Sequence, residues 1–189
     1  NHRFKADSII GRMAAAVNKG RADEFIGLIG NAAARENGVS WLKLPRTGRR
    51  LPRGTRELLL GAHGYGPLHE LFGGADGLDA ESAVAAFDRF RVLCAVRKGP
   101  DGVERWNERL QQWVVGELRD GKPRAVMITV NDHASGLCNG DTGLVLPAGD
   151  GSGLFHSSEG TRWPASLLPP GEPGWAITIH KSQGSEYGN

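Results

Sequence analysis

The stretch WAITIHKSQGSEY, residues 175–187, decides how the rest of the sequence is interpreted. Its first half is apolar and β-branched, which predicts a strand from Trp175 to His180. Its second half is polar and contains Gly184, so we expect the chain to turn away from the strand over residues 181–184. Because α/β proteins bind ligands at the carboxyl ends of their strands, this stretch predicts an α/β fold with a ligand site here.

A second strand, followed by an amphipathic helix, precedes this stretch. Residues 90–96, FRVLCAV, are typical of a strand that is buried on both faces of a parallel sheet. From Val103 to Leu118, apolar residues recur at spacings of three and four, which predicts a helix. We expect further helices at Ser8–Gly20, at Ala22–Leu28 and from an Asp79 cap to about Phe87. The pattern favours a parallel sheet with flanking helices.

Between these two strands, residues 125–169 have a different character. Short β-like runs alternate with turn signals such as Asn139-Gly140-Asp141, which predicts a small antiparallel barrel. Residues 169–174, PPGEPG, follow it and predict a stiff linker that leads out of the barrel.

Composition excludes several classes of protein. The 189 residues are 39% hydrophobic and 23% charged, which is typical of a globular chain rather than a disordered or fibrous one. No run of about 18 apolar residues predicts a membrane span. The two cysteines do not form a C-x-x-C pair, so we expect no zinc site, no disulfide framework and a cytoplasmic location. The chain begins with Asn1 rather than methionine, which suggests a fragment of a longer protein.

Charge is distributed unevenly along the chain, although the net charge is only +2. The segment from Lys43 to Arg56 contains no acidic residue and six basic ones: Lys43, Arg46, Arg49, Arg50, Arg53 and Arg56. Such a strip either attracts phosphate backbones or forms a solvated loop, and the sequence leaves both interpretations open.

Four segments, in order, resemble RecD-type superfamily 1 DNA helicases; RecD is the alpha subunit of the RecBCD exodeoxyribonuclease. TIHKSQGSEY, residues 178–187, resembles helicase motif V. Residues 1–10 resemble motif IV and the helix after it, and FRVLCA at 90–95 with Gly102 and Asn107 resembles a strand-helix signature. Residues 126–143 resemble the start of an inserted SH3-like barrel. The resemblance implies a RecA-like second motor domain at 1–124, the barrel at 125–169 and a return to the motor domain at 170–189.

The resemblance also implies a role for individual residues. Arg3 would reach the phosphates of ATP, and Gln183 would lie beside them. Gly184 and Glu186 would contact the nucleotide, with Glu186 on the ribose. Single-stranded DNA would contact the following polar side chains: Thr178, His180, Lys181 and Ser182. A packed structural histidine is the alternative for His180. We expect Thr178 and His180 to point to the same side, because side chains alternate along a strand.

Motifs of the first motor domain are not found in this sequence. The only Gly-Lys pair, Gly121-Lys122, is followed by proline, so no P-loop occurs. The resemblance implies ATP with Mg²⁺, whose ligands would lie in the first motor domain, and we expect no metal site here. We therefore expect these residues alone not to hydrolyse ATP.

Three functions remain open at this point. The resemblance implies an ATP-driven 5′-to-3′ helicase that works with RecB and RecC in double-strand break repair and recombination. A free-standing RecD-like helicase would use the same chemistry without those partners. A non-catalytic module that binds DNA or protein is the third possibility.

Overall fold

The computed structural model describes residues 5–30, 39, 51, 54–74, 78–117, 121–149 and 151–183. The chain divides into two compact units, Asn1–Pro52 and Arg53–Asn189, and each is described by itself. The domain boundaries expected from the sequence remain a prediction.

Two helices form the described part of the first unit. Helix α1 spans Ile9–Asn18 and begins at Ser8, whose hydroxyl accepts a hydrogen bond from the Gly11 N–H at 3.1 Å. It ends before Gly20, which adopts a φ of 66°. Helix α2 spans Ala22–Gly30 and packs against α1. Both helices are confirmed close to their predicted bounds.

The described part of the second unit contains four α-helices and two sheets. Helices α3 and α4 span Thr55–Leu59 and Gly66–Gly73. Helix α5, Ala80–Asp88, is capped by the Asp79 carboxylate, which accepts from the Glu81 and Ser82 N–H groups. Helix α6 spans Val103–Val114 and buries most of the apolar stripe that its spacing predicts. It ends before Gly116, which adopts a φ of 103°, so the predicted extent to Leu118 is too long.

The first sheet pairs the strands that the sequence predicts at residues 90–96 and 175–180. Strand β1, Val92–Cys94, runs parallel to β7, Ala176–Thr178, with Leu93 opposite Ile177. The parallel arrangement confirms a mixed α/β fold. The prediction that residues 90–96 are buried on both faces is wrong, because Leu93 is 44% exposed and Val96 is 52% exposed. Only Cys94 of the three β1 residues is fully buried.

The second sheet is antiparallel and lies between β1 and β7 in the chain. Its strands are β2 (Arg124–Ile128), β3 (Thr142–Pro147), β4 (Gly153–Ser157), β5 (Arg162–Pro164) and β6 (Gly171–Pro173). Their order in the sheet is β5-β4-β3-β2-β6. A one-turn 3₁₀ helix, Ala165–Leu167, follows β5. In the part of the chain that the structure describes, β5 and β6 do not pair to close a barrel, so the SH3-like insertion remains a prediction.

The predicted exit linker at 169–174 is wrong, because Gly171–Pro173 forms β6. Glu172 lies opposite Met127, and Pro173 lies opposite Val126. Proline is tolerated here because β6 is an edge strand, where a missing N–H leaves no gap in the interior of the ladder. The proline-rich composition therefore predicts a linker where the structure has an edge strand.

Two clusters of buried side chains hold the second unit together. Inside the antiparallel sheet, the core consists of Ile128, Leu137, Val145 and Phe155. Around the start of β7, the Trp175 ring packs edge-on against Tyr65 and Phe87, with ring centroids 5.5 and 5.8 Å apart. Helix α5 also packs against β3 and β4, so the antiparallel sheet is joined to the helices beside the parallel pair.

Across the described ranges, no helix combines the length and apolar character that crossing a membrane requires.

Candidate functional site

The candidate site lies at the carboxyl end of β7. Ala176 and Ile177 are fully buried, Thr178 is half-buried, and the residues from His180 onward reach the surface. The Ile179 N–H still donates to the Cys94 carbonyl at 3.0 Å, which keeps the end of β7 against β1. The strand therefore delivers polar groups to one end of the parallel pair, where α/β proteins bind ligands.

Beyond Thr178 the chain forms a tight turn, residues 178–183. The Lys181 and Ser182 N–H groups both donate to the Thr178 carbonyl, at 3.0 and 3.2 Å. The prediction that the strand continues to His180 is wrong. The argument that Thr178 and His180 point to the same side fails with it, because side-chain alternation holds only within a strand.

Hydroxyl groups of the predicted DNA-contacting set are engaged inside this turn. Thr178 Oγ1 accepts from the Lys181 N–H at 3.3 Å, and Ser182 Oγ donates to the Ile179 carbonyl at 2.8 Å. Each hydroxyl keeps a further lone pair, so each can still accept a hydrogen bond from a ligand. Both hydroxyls therefore stabilise the turn, and a contact with a ligand would be made in addition to these hydrogen bonds.

The side chains of His180 and Gln183 are exposed on the turn. The alternative interpretation of His180, a packed structural histidine, is therefore wrong. An exposed imidazole or carboxamide can donate a hydrogen bond to a phosphate oxygen without reading base sequence. The geometry brings Thr178, His180, Lys181, Ser182 and Gln183 together on one short segment.

Lys181 is held by a loop of the antiparallel sheet. Its ammonium donates to Asn139 Oδ1 at 2.6 Å. Asn139 in turn donates its backbone N–H to Asn131 Oδ1 at 2.8 Å. The 129–141 loop, which joins β2 to β3, therefore forms one surface with the 178–183 turn. The sequence did not indicate this contact, because the two segments lie about forty residues apart.

The 129–141 loop contains hydrogen bonds of its own. Ser135 donates from both its backbone N–H and its hydroxyl to Asp132 Oδ2, at 2.8 and 2.6 Å. These bonds, the hydroxyl bond first, hold the pKa of Asp132 below its usual value of 3.8. Leu137 is buried in the sheet core and anchors the loop from below. These contacts hold in place the loop from which Asn139 binds Lys181.

Other reactive groups near the parallel pair are structural. Cys94 is buried next to Thr178 in the β1–β7 ladder, and burial, together with the Asp101 carboxylate, raises the pKa of its thiol. The thiol is therefore protonated at neutral pH and is a poor nucleophile. Among the described residues, no group of three or more His, Cys, Asp or Glu side chains could hold a metal ion. The described residues therefore do not supply a set of Mg²⁺ ligands.

Three predicted site residues, Arg3, Gly184 and Glu186, lie outside the described residues, so their roles remain predictions. Most of the basic strip at 43–56 lies outside them as well. The structure therefore brings together the predicted DNA-contacting residues and Gln183, while the nucleotide-contacting set is only partly described.

No protein-family model matches this sequence. The RecD subunit of the RecBCD enzyme from Mycobacterium tuberculosis is 33% identical over 198 residues, which cover 98% of this chain and 31% of that protein. The corresponding subunit from Mycolicibacterium smegmatis is 40% identical over 116 residues, covering 57% of this chain and 20% of that protein. The chain thus spans a third or less of the length of these relatives.

Two further proteins are similar to this chain over part of its length. The ATP-dependent RecD2 DNA helicase of Deinococcus radiodurans is 34% identical over 110 residues, which cover 52% of this chain and 15% of that protein. A Pif1 helicase structure from Bacteroides has a TM-score of only 0.34 at 21% identity, covering 69% of this chain and 38% of that one, and no conclusion rests on it. The similarity to the M. tuberculosis subunit extends over nearly the whole chain, as the order of the motifs predicts. We therefore identify the chain as a relative of the RecD-type superfamily 1 DNA helicases.

Proposed function

We propose that this chain is the second, RecA-like motor domain of an ATP-dependent DNA helicase of the RecD type. The observation that supports the proposal is the 178–183 turn, which lies at the carboxyl end of a buried parallel strand and whose sequence resembles motif V. A translocating motor needs such a segment, because it must contact DNA and nucleotide at once. The similarity to RecD subunits over 98% of the chain supports the same function.

In this proposal, the polar residues of the turn divide between two ligands. His180 and Lys181 donate to the backbone phosphates of single-stranded DNA, and Thr178 and Ser182 add hydroxyl contacts. Gln183 and Gly184 lie beside the nucleotide phosphates, and Glu186 accepts from the ribose hydroxyls. Arg3 forks onto the ATP phosphates with its permanently charged guanidinium. ATP with Mg²⁺ supplies the phosphoryl chemistry, and the Mg²⁺ ligands come from the first motor domain.

The domain arrangement belongs to the same proposal. Residues 1–124 and 170–189 form the motor domain, and residues 125–169 form an SH3-like insertion whose β2–β3 loop contacts the turn through Asn139 and Lys181. We propose that the protein works in the cytoplasm with RecB and RecC in a complex with exonuclease activity. There it translocates 5′ to 3′ during double-strand break repair and recombination. The RecBCD name of the relatives supports these partners.

A free-standing RecD-like helicase is the second candidate, and the similarity to the Deinococcus RecD2 protein favours it. The two candidates share their chemistry and differ in partners. Co-purification of the tagged full-length protein with RecB and RecC from its own cells supports the first candidate. A monomer that unwinds DNA without them supports the second.

The proposed function is tested by steady-state ATPase measurements on the full-length protein, with and without single-stranded DNA. We expect DNA to stimulate turnover. Arg3→Ala should reduce turnover by about a hundredfold or more, since one donor to transition-state charge contributes about that much. DNA binding should change little in this variant. Single-stranded DNA binding without any ATPase would instead indicate the non-catalytic module.

A further inference from the structure

Three buried side chains from different elements hold the backbone of residues 174–176, where β7 begins. Arg91 Nη1 donates to the Gly174 carbonyl at 2.7 Å, and the Tyr65 hydroxyl donates to the Trp175 carbonyl at 2.5 Å. The carboxamide of Asn107 in α6 binds Ala176 on both of its backbone groups. The three residues are 7%, 0% and 4% exposed.

Asn107 acts on β7 as a neighbouring strand would. Its Nδ2 donates to the Ala176 carbonyl at 2.9 Å, and its Oδ1 accepts from the Ala176 N–H at 2.9 Å. A single side chain thus reproduces the donor and acceptor pair that a peptide group offers in a sheet. Strand β1 pairs with β7 through the parallel ladder. Asn107 adds two hydrogen bonds to β7 from helix α6.

One turn further along α6, Gln111 extends the same connection. Its Oε1 accepts from the indole N–H of Trp175 at 2.8 Å. Residues four apart share a face of a helix, so Asn107 and Gln111 together hold α6 against Ala176, the first residue of β7, and against Trp175, which precedes it. A shift of α6 along its axis would therefore break these three hydrogen bonds, two of them buried, or move β7 with it.

The distance from this contact to the 178–183 turn is short. Only Ile177 separates Ala176 from Thr178, and Ile177 is buried in the β1–β7 pair. An extended strand has little freedom over two residues, so the position of Ala176 fixes the position of the turn. The turn carries His180 and Gln183, which are exposed.

We propose that Asn107 is a positioning residue of the motor: it sets the 178–183 turn relative to α6 and transmits movements of α6 to that turn. This inference rests on the proposed function, because the turn positions DNA and nucleotide contacts only if the chain is a motor domain. A purely structural Asn107 would affect stability without affecting the DNA dependence of activity.

The variant Asn107→Asp distinguishes the two roles, because it has nearly the same shape. At neutral pH its carboxylate accepts from the Ala176 N–H but cannot donate to the Ala176 carbonyl, which is left unpaired. Burial raises the pKa of such a carboxyl group. On acidification the protonated acid regains a donor, so the defect should diminish as the pH falls.

The experiment measures the ATPase rate of the full-length protein against single-stranded DNA concentration, between pH 8 and pH 5.5. For Asn107→Asp at pH 8, we expect the DNA concentration for half-maximal stimulation to rise at least about fivefold. This ratio to wild type should shrink as the pH falls. Gln112→Ala, an exposed change on the same helix, is the control and should match wild type. A DNA dependence equal to that of wild type in a folded Asn107→Asp protein overturns the inference.

Two further measurements keep the test decisive. If Asn107→Asp does not fold, Tyr65→Phe removes the hydrogen bond to Trp175 and keeps the ring, and it should raise the same DNA concentration by a smaller factor. If wild type shows no DNA-stimulated ATPase, the proposed function fails. Amide hydrogen exchange then tests the positioning itself. Lys181 and Ser182 should exchange faster in Asn107→Asp than in wild type, and unchanged exchange there overturns the inference.

Discussion

At the scale of single residues, His180 is the clearest candidate for contact with DNA. It is exposed on the 178–183 turn, and no side-chain hydrogen bond to it is found in the described part of the chain. Thr178 and Ser182, by contrast, use their hydroxyls within the turn. The imidazole is therefore more open to a phosphate oxygen than these two hydroxyls are.

We expect His180→Ala in the full-length enzyme to weaken DNA stimulation of the ATPase more than it weakens the basal rate. The reason is that His180 would contact DNA rather than nucleotide. Steady-state ATPase against DNA concentration measures this, with His63→Ala, another exposed histidine, as the matched control. Unchanged DNA stimulation would show that His180 is not part of the coupling between the two ligands.

A second residue-scale prediction concerns acid stability. The Ser135 hydrogen bonds lower the pKa of Asp132 below 3.8, so its charged form stabilises the fold. That contribution is fully present above pH 3.8 and is lost as the pH falls through the lowered pKa. Asp132→Ala should therefore lower the unfolding temperature at pH 7 and should lower it less at pH 3. Thermal unfolding at both values measures this.

The control for this series is Glu159→Ala, which removes an exposed carboxylate from the turn before β5. It should shift the unfolding temperature little at either pH. A difference between wild type and Asp132→Ala that stays constant from pH 7 to pH 3 would mean that the Ser135 hydrogen bonds do not depend on the charge of Asp132.

At the scale of elements, the antiparallel sheet depends on a close approach between β3 and β4. A Cβ atom at Gly143 would lie 2.2 Å from the His156 carbonyl oxygen and 2.8 Å from the Phe155 ring. The backbone oxygen cannot move without disturbing the β3–β4 ladder, in which Gly143 lies opposite Ser157. Only glycine fits at this position, for reasons of space rather than of backbone conformation.

We therefore expect Gly143→Ala to lower the free energy of unfolding by about 1–3 kcal/mol or more, as overpacking does. Gly149→Ala is the matched control, because its Cβ would meet nothing within 4 Å. It should change stability by no more than about 0.5 kcal/mol. Denaturant unfolding of both variants provides the comparison, and equal effects would contradict the packing argument.

Much at this scale could be predicted from the sequence, because local signals dominate. The Ser8 and Asp79 caps, the apolar stripe of α6 and the strands β1 and β7 all follow from spacing and capping. Strand β6 could not be predicted, because its prolines are tolerated only at an edge that the sequence does not reveal. The early end of β7 could not be predicted either, since its turn depends on hydrogen bonds of Thr178.

The sequence predicts which residues lie on the turn more completely than it predicts the side-chain contacts that hold the turn in place. The motif at 178–187 identified the turn residues directly, and the structure brings those up to Gln183 together. The sequence indicates Asn107 only as part of a signature and Asn139 only as part of a turn, and it gives no signal for Tyr65. Their partners lie 69, 42 and 110 residues away, and long-range contacts leave no periodic trace in a sequence.

At the scale of the whole molecule, the proposed binding of DNA should follow the phosphate backbone. We expect the affinity of the full-length protein for single-stranded DNA to be independent of sequence and to fall steeply with salt, by about 0.7 log units per phosphate contact for each tenfold rise in salt. Fluorescence anisotropy with two oligonucleotides of equal length and different sequence measures both properties. An affinity that is unchanged between low and moderate salt would contradict a backbone-led contact.

The contact between Tyr65 and Trp175 also has a consequence for how the protein is made. The two residues are 110 positions apart, and the Tyr65, Phe87 and Phe90 side chains all precede Trp175 in the chain. At a synthesis rate of roughly 5–20 residues per second, Tyr65 leaves the ribosome about 5–20 seconds before its partner. During that interval, Tyr65 lacks its Trp175 partner and β1 lacks β7. The Tyr65–Trp175 contact and the parallel pair can therefore be completed only late in synthesis.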